Sequence, residues 1–174
     1  TKSLKTIICG EGYLTPAQDG YHSCGATYNK GLFSTELRAE DHEINIAKMR
    51  HTDPGLDAAL ENLDASNMEG RANFRCTTKD YLPIVGPVPN FSSMLKDFSF
   101  LRRDARTDSM VMGDYQPNLY INCGMGSRGL SYAPLTAELL ASQISQQIPS
   151  LERYLVQGMH PARFLIRDLK KKQL

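Results

Sequence analysis

The sequence is short of the features that would announce a partner by composition alone. Among its 174 residues, 20 basic side chains face 19 acidic ones, for a formal net charge of +1. No global field therefore draws the chain to nucleic acid or to a membrane surface, and a polyanionic partner needs a local patch. No apolar run approaches the ~20 residues needed to span a bilayer, and no signal peptide is present. Cysteine is scarce: Cys9, Cys24, Cys76 and Cys123 form no C-x-x-C pair and have no nearby histidine pattern. That argues against zinc and against a dense disulfide scaffold, and the four read as buried, reduced thiols of a cytoplasmic protein. His22, His42, His51 and His160 share no spacing that suggests a base or a metal site, so no metal is expected. There are no internal repeats and no low-complexity tracts. An initiator Met is also missing, and Thr1-Lys-Ser-Leu-Lys5 runs quickly into the strand-like Thr6-Ile-Ile-Cys-Gly10, as expected of a piece cut from a longer protein.

Short β-prone runs occupy residues 5–28, and the turn Gln18-Asp-Gly20 between two of them predicts antiparallel sheet. From Ser34 to about Met49, charges and scattered apolar residues without Gly or Pro predict a surface helix with Ser34 or Thr35 as N-cap. Asp53-Pro-Gly55 ends it. Leu56, Ala59, Leu60 and Leu63 have the spacing of one face of a second helix. Residues 71–89 begin as a strand and become a proline-punctuated segment that must run along an edge or as a loop. Residues 90–117 read as polar and irregular, with a basic cluster at Arg102, Arg103 and Arg106. Leu119–Asn122 reads as a buried strand, followed by a glycine loop and a helix over 133–147 opened by Pro134. Ala137, Leu140, Ala141, Ile144 and Ile148 fall on one face of that helix. Residues 149–174 read as a short helix, a break containing Gly158 and a final amphipathic helix ending in Lys170, Lys171 and Lys172.

The glycine loop, Gly124-Met-Gly-Ser-Arg-Gly129, matches G-x-G-x-x-G between a strand and a helix. A dinucleotide fingerprint also needs a second strand carrying an acidic residue about 20 positions on. Here the window from Ser142 to Arg153 reads as helix running into Pro149-Ser-Leu-Glu152, so no second strand exists. A methyltransferase reading fails similarly, because the preceding strand ends in Asn122-Cys123 rather than an acidic residue. What remains is local physics. Glycines admit close backbone approach, and the helix N-terminus offers free N–H groups to a phosphate, a carboxylate or the N1–C2=O edge of a reduced flavin. A turn that serves packing alone is the alternative.

The run from Arg75 through Leu82-Pro-Ile-Val-Gly86 to Pro89, together with Asn118 through Gly126-Ser-Arg-Gly-Leu130 to Ala141, resembles the C-terminal part of flavin-dependent amine oxidases related to glycine and D-amino-acid oxidase. Within that family it looks most like the oxidoreductase half of bifunctional tRNA-modifying enzymes. Gly10–Tyr28 is similar to the family's substrate-domain hairpin. The resemblance implies an α+β fragment: an antiparallel substrate-domain sheet with helices, plus the last strand and helix of a Rossmann-like FAD-binding domain. It places the substrate part at 1–73 and the FAD part with closing helices at 74–174. On this resemblance the N-terminal ADP-binding βαβ unit and the methyltransferase domain, which uses S-adenosylmethionine, are expected to be absent from these residues. The cofactor implied is FAD, with Gly124, Met125, Gly126, Ser127, Arg128, Gly129 and Leu130 at its ring.

The substrate implied is 5-carboxymethylaminomethyluridine, with or without 2-thiolation, at the tRNA wobble position. A hydride leaves the carbon between nitrogen and carboxylate, and the imine hydrolyses to glyoxylate and aminomethyluridine. Arg75 matches the family's carboxylate-binding arginine, a role that suits its planar fork. Tyr13 matches a substrate-wall tyrosine. Arg128 is offset, since the related oxidases place an arginine at the position of Ser127, and the resemblance leaves substrate, flavin or tRNA phosphate open for it. No residue is assigned as catalytic. The basic cluster and Lys170–Lys172 are candidates for tRNA phosphate contact. Alone, the fragment is expected to be inactive and not to hold FAD tightly. The alternatives are a small-molecule amine oxidase of the glycine or sarcosine type and a non-enzymatic binding module.

Overall fold

The computed structural model describes residues 4–107 and 111–174. It is α+β, with two small antiparallel sheets and six helices among the described residues. The chain divides into two compact units, Thr1–Phe74 and Arg75–Leu174.

In the first unit, β1 (Ile8–Cys9), β2 (Tyr13–Leu14) and β3 (Cys24–Gly25) form an antiparallel sheet with β2 in the centre. Between β2 and β3, Gln18 and Tyr21 exchange backbone hydrogen bonds of 2.9 and 3.0 Å, while Asp19 and Gly20 take positive φ of 51° and 87°. That is the primed turn an Asp-Gly pair favours. Helix α1 spans Ala39–Thr52, followed by a 3₁₀ turn and the one-turn helix α2 (Asp57–Leu60). Leu14, Ile46, Met49, Leu56 and Leu60 form the core of this unit.

Helix α1 starts later than Ser34 or Thr35. Ser34 Oγ instead accepts the Glu36 N–H at 3.1 Å, a local turn that competes with capping. Asp41 in the first turn is held by Arg38 Nε at 2.9 Å and Asn29 Nδ2 at 2.8 Å. The Arg38 and Asn29 donors pull its carboxyl down to about 2. The second helix is cut to one turn, and only Leu56 and Leu60 of its expected face are buried; Ala59 and Leu63 are exposed.

In the second unit, β4 (Ile84–Pro89) pairs antiparallel with β5 (Tyr115–Cys123), in one register from Ile84↔Cys123 to Pro87↔Tyr120 and with a shift before Pro89↔Tyr115. The expected order within 71–89 is reversed. The proline-bearing part is the strand, and the part before it forms a single bridge, Thr77↔Met125. A two-stranded ribbon leaves each strand a free edge, where Pro87 and Pro89 can lie without breaking the ladder. The same geometry leaves β5 exposed on both faces over residues 116–120, so Leu119 (51% exposed) and Tyr120 (38%) are not buried. The cysteines depart likewise from the expected burial: Cys9 and Cys76 are exposed, Cys24 and Cys123 half-buried.

The irregular stretch 90–117 contains helix α3 (Phe91–Asp97), capped by the Asn90 side chain, and a 3₁₀ turn over Ser99–Arg102; residues 108–110 lie outside the described residues. Met94 and Leu101 pack there against Ala162, Leu165 and Leu169. Helix α4 spans Gly129–Ile144, so Pro134 sits inside it rather than opening it. Helices α5 (Arg153–Met159) and α6 (Arg163–Lys170) follow. Gly158 lies within α5, and the break falls at His160–Ala162.

The face of α4 that is buried is not the expected apolar one. Thr136, Leu139 and Ser142 face inward, Leu139 against Val85 and Met159, while Ala137, Ala141, Ile144 and Ile148 are exposed and Leu140 is half-buried. Two hydroxyls make this affordable by bonding back into the helix, Thr136 Oγ1 to Tyr132 O at 2.9 Å and Ser142 Oγ to Leu139 O at 2.7 Å.

His160 closes the gap between α5 and α6. Its Nδ1 accepts the Ala162 N–H at 3.1 Å, which leaves the proton of the neutral ring on Nε2, 3.2 Å from the Tyr115 hydroxyl. Burial, with the Arg163 charge adding to it, pushes the imidazolium pKa below its ordinary value. The unfolded chain therefore binds this proton more readily. The associated stability is present above about pH 6.5 and is lost as pH falls through the lower folded value. Urea midpoints measured between about pH 5 and 7.5 should fall with acidification, and His160→Gln should flatten that slope.

Candidate functional site

The site is built where β5 ends. Gly124 turns the chain with φ +75°, Gly126 takes φ +58°, a 3₁₀ turn covers Gly126–Arg128 and α4 starts at Gly129. The preceding segment is stitched to this loop. Gly126 N–H donates to Cys76 O at 3.0 Å, Thr77 bridges Met125, and Arg75 Nη1 donates to Gly126 O at 3.3 Å. Glycine is required by space as well as by φ: a Cβ on Gly124 would lie 2.9 Å from Thr78 Cγ2, and one on Gly126 would lie 3.1 Å from Thr77 Cγ2.

Asp80 fixes the stitching segment. It receives a bidentate pair from Arg163, Nε to Oδ2 at 3.0 Å and Nη2 to Oδ1 at 2.9 Å, and further bonds from Thr78 Oγ1 (3.0 Å) and Leu82 N (3.2 Å). Arg163 also donates to Leu82 O at 2.8 Å and to Met159 O at 3.3 Å. The Arg163 hydrogen bonds hold the Asp80 carboxyl well below the usual carboxylate range, against the burial that opposes them. The guanidinium groups of Arg163 and Arg167 both lie over the Phe164 ring, 4.3 and 4.7 Å from its centre. A cavity of about 300 Å³ opens beside the loop, lined by Cys76, Thr78, Gly124, Phe164 and Arg167 among others.

The structure thus brings Arg75 to the glycine loop. Gly124 is buried, Met125, Gly126 and Gly129 are half-buried, and Ser127, Arg128 and Leu130 are exposed. Arg128 occupies the N-cap position of α4, and no side chain caps that helix end. Tyr13 belongs to the other unit, where its ring covers Gly25 on β3. Asp80 and Arg163 were not singled out in the sequence. Asp80 stands in the run Thr77-Thr-Lys-Asp80 without a distinguishing mark, and its partner is 83 residues away. Among the described residues, no three His, Cys, Asp or Glu side chains gather as metal ligands do.

A family described as FAD dependent oxidoreductase matches residues 2–143. The chain belongs to this family. Curated relatives of the FAD-dependent oxidoreductase chain include the tRNA 5-methylaminomethyl-2-thiouridine biosynthesis bifunctional protein MnmC of Chromobacterium violaceum, 38% identical over 98% of this chain and 26% of the relative. The proteins of the same name from Saccharophagus degradans (37%, 100% of this chain and 24% of the relative) and Chromohalobacter salexigens (39%, 96% and 24%) are similar. The chain spans about a quarter of the length of the curated relatives it matches.

The residues present fit one end of FAD. Both sheets are antiparallel, so the described residues hold no parallel βαβ unit for the ADP part. The uncapped start of the 16-residue helix α4 instead presents N–H groups at a loop of two positive-φ glycines, and a Cβ on Gly129 would meet nothing within 4 Å. An electron-rich ring edge suits that arrangement.

Proposed function

We propose that the full-length protein removes the carboxymethyl group from 5-carboxymethylaminomethyl-(2-thio)uridine at the tRNA wobble position, leaving the aminomethyl form. The observation that carries this reading is the likeness to the MnmC relatives along nearly the whole chain, at 37 to 39% identity. In this reading residues 1–73 belong to a substrate-binding domain, and 74–174 supply the last strand and helix of a Rossmann-like FAD-binding domain. The partners are tRNA and a methyltransferase domain of the same polypeptide using S-adenosylmethionine, and the setting is the cytoplasm. No helix of the described residues is long and apolar enough to cross a membrane.

Bound FAD supplies hydride acceptance. The chain's own residues bind and orient. Arg75 takes the substrate carboxylate in its planar fork while its contact with Gly126 O sets the guanidinium at the loop. The loop from Gly124 to Leu130 receives the ring, with the α4 amides stabilising negative charge on its edge. Arg128, exposed at the helix start, faces substrate, flavin or tRNA phosphate. Tyr13 lines the substrate wall. Exposed Arg103, Arg106 and Lys170–Lys172 meet tRNA phosphates, with Arg102 half-buried beside them.

The test compares glyoxylate release by the full-length protein from modified tRNA with its oxidation of free glycine or sarcosine. Turnover of the free amino acids alone would establish the small-molecule amine oxidase instead. Arg75→Ala should lower kcat/KM on tRNA by about 100-fold or more, with Arg75→Lys recovering part of it. An unchanged rate in Arg75→Ala removes Arg75 from the site. The isolated 174-residue chain should purify without stoichiometric flavin absorbance.

A further inference from the structure

The flavin reading leaves two thiols beside the glycine loop without a role. Cys76 and Cys123 sit on backbone segments fastened to one another: the Cys76 carbonyl accepts the Gly126 N–H at 3.0 Å, Thr77 bridges Met125, and Cys123 ends β5 one residue before Gly124. The Cys76 side chain is a direct electrostatic neighbour of the Cys123 thiol. Cys76 is exposed and lines the cavity of about 300 Å³, along with the charged Lys79, Arg167 and Asp168, whereas Cys123 is half-buried and not part of its lining. Neither is in a disulfide. The other two cysteines offer a contrast. Cys9 is on β1 and Cys24 on β3, with β2 between them, which sets their backbones about 10 Å apart, beyond disulfide reach.

We propose that Cys76 and Cys123 form a redox-responsive pair that a hydroperoxide closes to a disulfide, fastening the segment next to Arg75 onto the end of β5. The two thiols have different parts. Burial and the neighbouring Cys76 push the Cys123 thiol up, outweighing the Arg163 charge that opposes them, so it stays protonated at neutral pH. Cys76, open to the cavity, meets the oxidant first. Its sulfur attacks one peroxide oxygen and the O–O bond breaks. The thiol proton leaves with the departing hydroxide as water, and Cys76 becomes a sulfenic acid. The Cys123 sulfur then attacks the Cys76 sulfur, the S–O bond breaks, and a second water carries off the Cys123 proton. In sum, two thiols and one hydrogen peroxide give one disulfide and two waters. The oxidised form adds a covalent bond to the backbone hydrogen bonds that tie Arg75's neighbour to the loop. The inference stands apart from the tRNA reading, since it needs only the thiols and the oxidant.

The experiment treats the folded full chain with one equivalent of hydrogen peroxide, blocks remaining thiols with N-ethylmaleimide, and maps the peptides by mass spectrometry. The expected result is a peptide pair joined through Cys76 and Cys123, about 2 Da lighter than the sum of its parts and separated by dithiothreitol. Cys9 and Cys24 should remain alkylated. In Cys123→Ser, dimedone should label Cys76, because the resolving thiol is gone. In Cys76→Ser, peroxide consumption should slow about tenfold or more. Circular dichroism on both near-isosteric variants establishes that they are folded. The proposal is overturned if Cys76 and Cys123 of the wild type stay fully alkylated. It is equally overturned if either links to a second chain instead, or if dimedone in Cys123→Ser marks Cys9 rather than Cys76.

Discussion

Arg163→Ala is expected to destabilise the 75–174 unit by about 3 kcal/mol, seen as a lower urea midpoint at an unchanged slope. The size follows from what is left behind. Asp80 would keep a partly buried charge whose two guanidinium bonds, of 2.9 and 3.0 Å, are gone. With the Asp80 side chain 29% exposed and that of Arg163 10%, water recovers only part of the loss. Asp80→Asn should cost nearly as much, because it strands the cation instead. The paired change Asp80→Leu with Arg163→Met should cost much less than the sum of the two single losses, the signature of coupling. The acid limb supplies a second check. Because the folded carboxyl titrates below the unfolded one, its contribution is present above about pH 3.9 and disappears as pH falls through the folded value. In Arg163→Ala that part of the acid dependence should shrink, while the His160 slope near neutrality should weaken but persist, because burial remains when the Arg163 charge is gone.

Gly124→Ala is expected to cost about 2 to 5 kcal/mol and to reduce flavin occupancy of the full-length protein. Two causes add. The φ of +75° strains any residue with a Cβ, worth about 1 to 2 kcal/mol. The new methyl would also stand 2.9 Å from Thr78 Cγ2, and overpacking typically costs about 1 to 3 kcal/mol. A second change separates them. Thr78→Ser removes the methyl and keeps the hydroxyl that bonds Leu82 O at 2.7 Å and Asp80 at 3.0 Å. Combined with Gly124→Ala it should recover the steric share and leave the φ share. A full recovery would mean that the backbone relaxes and that φ is not what selects glycine here.

Local chemistry was legible in the sequence, and long-range chemistry was not. The Asp19-Gly20 turn follows from two adjacent residues, and so does the break at Asp53-Pro54-Gly55. The glycine loop is placed correctly because strand, loop and helix are contiguous. Helix α3 was legible but passed over: Asn90 is a good N-cap, and Met94, Leu95, Phe98 and Leu101 keep helical spacing within a stretch that looks polar. The buried face of α4 misleads for a physical reason, since Thr136 and Ser142 count as polar by composition yet satisfy their hydroxyls inside their own helix. The prolines of β4 weigh against a strand only where a partner lies on both edges. Arg163 carried no signal at all. Its partner is fixed by how α6 packs, not by any spacing along the chain.

That separation has a consequence for the order in which the molecule can be made. During synthesis the ribbon of β4 and β5 and the glycine loop emerge before α6, so the lip of the site exists while its cation is still missing. Asp80 waits 83 residues for its partner, and closing so long a loop comes late in folding. The last helix of the chain therefore acts as the pin that sets a loop made long before it, and a nascent chain halted short of residue 163 carries the glycine loop unset.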